Sequence, residues 1–153
     1  MAEAPQRVTI SNRKARHEYF IIEALEAGIV LTGTEVKSLR KGNANLQDSY
    51  AEIRNGEVWL EGMHISPYEQ GTVNSHDPRR VRKLLLQRRE IRKLITKAAE
   101  KGLTLIPLSV YFRGAFAKVE LAIARGKRSY DKREAIAKRE SDRNIARLKR
   151  RST

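Results

Sequence analysis

The dipeptide Asn55-Gly56 constrains the fold of this chain most strongly, because it lies between two runs of alternating apolar and polar residues. Both residues tolerate positive φ angles, so the dipeptide favours a type I′ turn between two antiparallel strands. A two-residue turn pairs Ile53 with Val58 and Ala51 with Leu60, which puts four apolar side chains on one face. The opposite face carries Arg54, Glu57, Glu52 and Trp59. The pattern therefore predicts a β-hairpin with one buried face.

A second hairpin is predicted over residues 103–124, with strands 103–112 and 116–124 around Arg113-Gly114-Ala115. In its second strand, apolar residues alternate with Lys118 and Glu120, so the charged side chains are expected to face outward. Pro107 has no backbone N–H to donate, which predicts an edge position or a bulge in the first strand.

The remaining elements are shorter. Strands are predicted at 17–24 and 28–31, joined by a turn at Glu26-Ala27-Gly28. A short helix over 34–41 is expected to stop at Gly42, and a longer one over 88–101 at Gly102. Residues 63–81 form a long irregular stretch, and residues 84–86 are either a buried strand or the lead-in to the longer helix.

Five or six strands with two helices and no internal repeat fit a small, mainly β fold. An antiparallel barrel of the OB type is the economical solution because closure removes exposed strand edges. An open α+β sheet is the alternative. We expect a single barrel domain over residues 1–125, ordered from about residue 12, with flanking helices.

Charge gives the first indication of function. The chain carries 32 Lys and Arg against 18 Asp and Glu, a net charge of +14, and half of this excess lies in residues 126–153. Such charge attracts polyanions, and a basic body with a basic tail favours nucleic acid over an anionic membrane surface or an acidic protein.

Beyond Arg125 the large aliphatic residues are only Ile136, Ile145 and Leu148. We therefore expect a tail that is disordered when free and helical when phosphates neutralise it.

The residues for most kinds of catalysis are missing. Cysteine is absent from the sequence, and the histidines His17, His64 and His76 are scattered. No phosphate-cradling loop or nucleophile motif is found. The sequence therefore predicts a binding protein that is not an enzyme, with no metal and no cofactor.

No window approaches the roughly 20 apolar residues of a membrane span, so no membrane association is expected, and a cytoplasmic location fits.

Several segments resemble one family closely. They are Asn12-Arg13-Lys14-Ala15-Arg16-His17-Glu18-Tyr19-Phe20, Glu26-Ala27-Gly28, Gly33-Thr34-Glu35-Val36-Lys37-Ser38-Leu39-Arg40, Asp48-Ser49-Tyr50, Asp77-Pro78-Arg79-Arg80-Val81-Arg82-Lys83-Leu84-Leu85-Leu86, and Ala124-Arg125-Gly126-Lys127 followed by Tyr130-Asp131-Lys132-Arg133. Together they resemble the SsrA-binding proteins, also called small protein B. Asp131-Lys132-Arg133 at the start of a basic tail is the most specific match.

The resemblance implies an OB-like barrel that binds the tRNA-like domain of transfer-messenger RNA (tmRNA) and delivers it to stalled ribosomes for trans-translation. It implies further that the tail occupies the decoding centre, formed by 16S rRNA, and the empty mRNA channel. Elongation factor Tu and alanyl-tRNA synthetase are implied as indirect partners. A ribosomal or ribosome-assembly protein is the alternative, because such proteins are also basic and tailed.

Candidate tmRNA-binding residues follow from charge and from this resemblance. Glu26 is a candidate acceptor for a base amino group or a 2′-hydroxyl, and Leu85 is either a core residue or an apolar platform for an exposed base. Asn12 is a candidate reader of a base edge in a basic lead-in to a strand. The full set is Asn12, Arg13, Lys14, Arg16, Glu26, Lys37, Arg40, Lys41, Leu85, Gln87 and Arg88.

Candidate ribosome-binding residues lie in the tail. Tyr130 stands where the resemblance leads us to expect histidine, so stacking on a base is retained but a cationic ring is not. Asp131 is also suited to begin a helix, where a carboxylate favours the N-terminal dipole. The set is Gly126, Lys127, Arg128, Tyr130, Asp131, Lys132, Arg133, Lys138, Arg139 and Arg143.

Overall fold

The structure, a computed structural model, describes residues 7–68 and 76–127. The helices are α1 (Arg13–Glu18), α2 (Gly33–Arg40) and α3 (Arg88–Ala98). The strands are β1 (Arg7–Ser11), β2 (Tyr19–Ile29), β3 (Ala44–Asn45), β4 (Tyr50–Arg54), β5 (Glu57–Glu61), β6 (His64–Ile65), β7 (Arg82–Leu85), β8 (Leu103–Arg113) and β9 (Phe116–Gly126). Within these two ranges no helix is long and apolar enough to cross a membrane.

Six strands close into an antiparallel ring in the order β8-β4-β5-β7-β2-β9, because β9 pairs back onto β8. One edge of β8 pairs with β9 along its length. The other edge pairs with β4 at Leu105 and with β1 at residues 109–112. Closure of this ring confirms the predicted mainly β barrel with flanking helices, and the open-sheet alternative is wrong.

Both predicted hairpins are confirmed. Strands β4 and β5 pair in the expected register, with Ile53 opposite Val58 and Ala51 opposite Leu60. The turn residues Asn55 and Gly56 have φ angles of 50° and 73°. The β8–β9 ladder shifts register between Pro107 and Ser109, so the proline lies at a bulge.

The N-terminal region differs from the prediction in two ways. A strand, β1, precedes residue 12, and residues 13–18 form helix α1, so the strand predicted to begin at His17 begins at Tyr19. Asn12 explains the change: its Oδ1 accepts a hydrogen bond from the Ala15 N–H at 3.2 Å, while its Nδ2 donates to the carbonyl of Pro107 at 3.0 Å. Side-chain capping satisfies a free N–H of the first helical turn. The cap and the contact with the β8 bulge therefore fix a helix here.

The predicted turn at Glu26-Ala27-Gly28 is also wrong, because all three residues lie within the unbroken strand β2. Strand β9 pairs with β2 from Tyr19 to Gly28, and β7 pairs with its other edge at Gly28 and Ile29. Glycine eases packing at this point: a Cβ atom on Gly28 would lie 3.3 Å from the Cβ of Leu85, so Leu85 would have to shift by a few tenths of an ångström.

Two apolar clusters stabilise the fold. The main core fills the barrel and includes Leu39 of α2 and Leu94 of α3. A second cluster lies on the outer face, where Ala15 of α1 packs with residues of β8 and β9, among them Ile106 and Ala122. Helix α3 ends at Ala98, earlier than predicted, and Ile95 in its last turn is 44% exposed.

A buried ion pair attaches α2 to the barrel. Arg82 Nε donates to Glu35 Oε2 at 2.5 Å, and both side chains are fully buried. Arg80 Nη2 and the Thr32 N–H donate to the other oxygen at 2.6 and 2.8 Å. Burial opposes ionisation of Glu35, but the hydrogen bonds from Arg80 and Thr32 and the charge of Arg82 outweigh it and lower its pKa.

We expect this carboxylate to make stability sensitive to acid. A pKa that is lower in the folded than in the unfolded chain stabilises the fold above the unfolded value, here 4.5, and the contribution is lost as pH falls through the folded value. Urea unfolding between pH 7 and pH 3 should therefore show a steeper loss of stability below about pH 4.5 in the parent chain than in Glu35→Gln. Equal slopes in the two proteins would contradict this assignment.

Candidate nucleic-acid interface

A row of four residues crosses the outer face of the barrel from β7 to β8. Leu85 pairs with Gly28, Gly28 pairs with Lys118, and Lys118 pairs with Tyr111. The Leu85 side chain is 52% exposed, so the interpretation of Leu85 as a core residue is wrong. The Leu85 side chain lies against Gly28 and presents an exposed apolar surface, with Lys118 on the other side of the glycine, a chemistry suited to a nucleotide.

The next row along the same face is acidic. Glu26 of β2 lies directly opposite Glu120 of β9, which in turn pairs with Ser109 of β8. Like charges in directly opposed positions destabilise a sheet. Each carboxylate is compensated by its own partners: Tyr111 and Arg113 contact Glu26, while Ser109 and, at 4.0 Å, Arg16 contact Glu120. Glu26 and Leu85 therefore lie close together on one face.

Helix α2 contributes the predicted cations at one end of the barrel. The Arg40 guanidinium lies 4.2 Å from the centre of the Phe112 ring, next to Arg113. The Lys37 and Lys41 ammonium groups lie 5.4 and 4.9 Å from the centre of the Tyr68 ring. Cation–π contacts at these distances hold the three side chains in place. The sequence pattern placed the cations on α2 but did not reveal their aromatic partners.

The structure separates the four predicted residues at the N-terminus. Asn12 is buried, and its amide N–H groups are directed to the carbonyls of Pro107 and Leu46. The prediction that Asn12 reads a base edge is therefore wrong, and its part is to cap α1. Arg16 lies beside Glu120, whereas Lys14 pairs with Asp48 at 3.3 Å on another side of the helix. Arg13 is exposed on α1.

Gln87 and Arg88 lie exposed at the start of α3, directly after β7. Gln87 Oε1 accepts a hydrogen bond from Arg89 Nε at 3.1 Å. Both residues therefore continue the exposed surface that begins at Leu85.

The tail begins at the opposite end of the barrel from α2. Gly126 pairs with Tyr19, and the Lys127 ammonium lies 5.1 Å from the centre of the Phe20 ring. The distance along β8 between Phe112, beside Arg40, and Leu103, opposite Arg125, is roughly 30 Å. The other tail candidates, which are Arg128, Tyr130, Asp131, Lys132, Arg133, Lys138, Arg139 and Arg143, lie outside the described residues.

Three residues of this surface were absent from the predicted set: Tyr111, Arg113 and Lys118. Lys118 was predicted to face outward, and the alternation of β9 was the signal that could have placed it in the set. Tyr111 and Arg113 gave no local signal, because their contact with Glu26 depends on pairing across the sheet. Among the described residues, no group of three or more His, Asp or Glu side chains is positioned to hold a metal ion.

This combination defines a class of protein. A closed antiparallel barrel with an exposed leucine, an acceptor carboxylate and surrounding cations on one face is a barrel of the kind that binds RNA through splayed bases and backbone charge. Comparison with known proteins narrows the class. The model of the SmpB protein family matches residues 9–151, and the chain therefore belongs to the SmpB family.

Relatives and solved structures agree with this assignment. The SsrA-binding protein of Desulforudis audaxviator (strain MP104C) is 63% identical over 150 residues, covering 98% of each chain. That of Acetivibrio thermocellus is 60% identical over 147 residues, covering 96% of each chain. A chain from the solved structure described as "tmRNA-SmpB: a journey to the center of the bacterial ribosome" is 52% identical, with a TM-score of 0.67 over 81% of this chain and 85% of the other.

Proposed function

We propose that this protein binds tmRNA through the outer face of its barrel and delivers it to stalled ribosomes for trans-translation. Family membership supports tmRNA and the ribosome as partners. The observation that carries the proposal is the placement of Glu26 beside the exposed Leu85, with Lys118 in the adjoining row, Arg113 on Glu26 and Arg16 on the neighbouring Glu120. It acts as an RNA-binding protein and not as an enzyme, in the cytoplasm where ribosomes work.

In this proposal each group has a distinct chemical task. Leu85 packs on a base that has left its stack, and Glu26 accepts a hydrogen bond from that base. Arg13, Lys14, Arg16, Lys37, Arg40, Lys41, Arg88 and Lys118 neutralise phosphates, and Gln87 offers an amide beside Leu85. A carboxylate among phosphates is unfavourable unless it accepts a hydrogen bond. Tyr111 and Arg113 supply such contacts. Because a carboxylate repels phosphate, any further hydrogen bond that Glu26 accepts from RNA comes from a base or a ribose hydroxyl and not from the backbone phosphates.

The tail has a separate task. We propose that residues 126–153 enter the decoding centre and the empty mRNA channel, where Tyr130 stacks on a base and the cations from Lys127 to Arg143 contact 16S rRNA. The root of the tail at Gly126 is distant from α2 along the barrel. Separate ends allow the barrel to hold tmRNA while the tail probes the ribosome. Elongation factor Tu and alanyl-tRNA synthetase act on the same RNA and are indirect partners.

Substitution of Leu85 tests the RNA-binding face. We expect Leu85→Ala to weaken binding of the full-length protein to a tRNA-like RNA by about 5- to 30-fold, equivalent to about 1–2 kcal/mol, because the apolar contact between the leucine side chain and the base is lost. The dependence on salt should stay the same, since each lost phosphate contact would change the slope of log affinity against log salt by about 0.7–0.9. Fluorescence anisotropy over a salt series measures both quantities.

Val81→Ala is a matched control, because Val81 is also an exposed aliphatic residue, at 37%, four residues away. It should bind tRNA-like RNA as the parent chain does. If the parent chain shows no preference for tRNA-like RNA over a random RNA of equal length, the proposed function is wrong. Stoichiometric recovery of the protein on every ribosome in a lysate would instead favour a ribosomal protein.

A further inference from the structure

The Glu26 carboxylate is held asymmetrically. The Tyr111 hydroxyl donates to Glu26 Oε2 at 2.5 Å, and Arg113 Nη2 approaches the same oxygen at 3.2 Å. Among the described residues, no hydrogen bond or ion pair reaches Oε1. One oxygen is therefore fixed by the protein, and the other keeps its lone pairs for a ligand.

We infer that Tyr111 is a positioning residue for RNA recognition, which aims Oε1 of Glu26 at the amino group of a base resting on Leu85. This inference rests on the proposed tmRNA-binding function and deepens it. Glu26 and Tyr111 are separated by 85 positions in sequence, and neither is in the sheet position directly opposite the other. The contact crosses β9, which lies between their strands.

The chemistry of Tyr111 fits this role. Its side chain is almost fully buried, with 6% of the residue exposed, so its ring has a fixed orientation. Burial, followed by the hydrogen bond to Glu26 and its negative charge, raises the pKa of the Tyr111 hydroxyl. The hydroxyl therefore stays protonated and donates to Glu26 throughout the physiological range.

A fixed carboxylate is better suited to recognition than a free one. A flexible glutamate side chain loses rotamer freedom when it binds, and this loss opposes binding. Tyr111 and Arg113 remove most of that freedom before RNA arrives. Leu85 lies on the same face, opposite Gly28, which is two residues from Glu26 along β2. A base that packs on Leu85 therefore has its edge near Glu26. We expect this base edge, and not a more distant ribose hydroxyl, to donate the hydrogen bond to Glu26.

The matched control exists within the same chain. Tyr50 lies directly opposite a glutamate, Glu61, in the β4–β5 ladder, and Glu61 is paired with an arginine, Arg54. That second Tyr–Glu–Arg group lies on β4 and β5, away from the Leu85–Gly28–Lys118 row. Tyr50→Phe therefore removes the same kind of hydroxyl without touching the proposed site.

The test compares full-length Tyr111→Phe, Glu26→Gln, their double variant and Tyr50→Phe by anisotropy, with a tRNA-like RNA and a random RNA of equal length. We expect Tyr111→Phe to weaken tRNA-like RNA binding about 3- to 10-fold, the effect of one hydrogen bond. Random RNA binding and the salt slope should not change. The double variant should bind no more weakly than Glu26→Gln, because Tyr111 acts through Glu26.

Several results would overturn the inference. They are parent-like binding by Tyr111→Phe, additive effects in the double variant, or an equal loss in Tyr50→Phe. If Tyr111→Phe melts at a clearly lower temperature, Arg113→Gln serves in its place, since Arg113 is about half exposed. Arg113→Gln should reduce the preference for tRNA-like RNA in the parent chain. It should cause no further reduction in a chain that already carries Glu26→Gln. If the parent chain lacks a preference for tRNA-like RNA, the proposed function itself is wrong, an outcome distinct from failure of Tyr111 alone.

Discussion

We expect a chain that ends at Lys127 to keep its preference for tRNA-like RNA over random RNA but to lose the ability to support rescue of stalled ribosomes. Strand β9 runs to Gly126, and Lys127 contacts Phe20, so this end point leaves the described barrel and its contacts complete. Affinity for all RNA should fall and the salt slope should become smaller, because basic residues are removed. Anisotropy measures the first effect, and a reconstituted translation reaction with truncated mRNA measures the second.

The control for this truncation is a full-length chain in which residues 128–153 are shuffled at constant composition. This variant keeps the charge of the tail but destroys the sequence motif formed by Tyr130 and Asp131-Lys132-Arg133. We expect it to recover the salt slope of the parent chain but not rescue. Recovery of rescue by the shuffled tail would mean that charge alone is required, and loss of RNA preference in the truncated chain would contradict the proposed division between barrel and tail.

The largest effect on stability is expected for Glu35→Ala. This substitution leaves the Arg82 guanidinium fully buried without its carboxylate partner. An uncompensated buried charge typically costs about 3–5 kcal/mol, which is a large part of the stability of a domain of this size. Urea unfolding followed by circular dichroism gives the change in the free energy of unfolding.

Two comparisons make this prediction specific. Glu57→Ala breaks the exposed pair of Lys83 and Glu57, whose side chains are 38% and 47% exposed, and should cost at most about 1 kcal/mol. The double variant Glu35→Leu with Arg82→Met removes both buried charges and should recover much of the stability lost in Glu35→Ala. If Glu35→Ala costs no more than Glu57→Ala, the ion pair does not hold α2 on the barrel.

The same ion pair links stability to function. Glu35 lies in the first turn of α2, the helix that presents Lys37, Arg40 and Lys41. Its contacts with Arg80 and Arg82 join this helix to the segment that leads into β7 and Leu85. The α2 cations and Leu85 are therefore set relative to one another by the buried pair of Glu35 and Arg82.

Local features were predictable from the sequence, since they depend on neighbouring residues. The Asn55-Gly56 turn fixed the β4–β5 register, and the Thr32–Glu35 capping box and Gly42 enclose the short helix that was predicted. The sequence also identified the basic tail, the cations of α2 and the resemblance that led to Glu26 and Leu85. Each of these needed only turn chemistry, periodicity, charge or a linear motif.

The tertiary structure alone decided how these pieces meet. Residues 13–18 form a helix because Asn12 contacts the bulge at Pro107, 95 positions away, and β2 passes through Glu26 and Gly28 because β9 and β7 pair with its two edges. Tyr111, which donates to Glu26, is 85 positions away from it in the sequence, and Arg82, which donates to Glu35, is 47 positions away. Local periodicity carries no information about such pairings, since they depend on the free energy of closing the whole barrel.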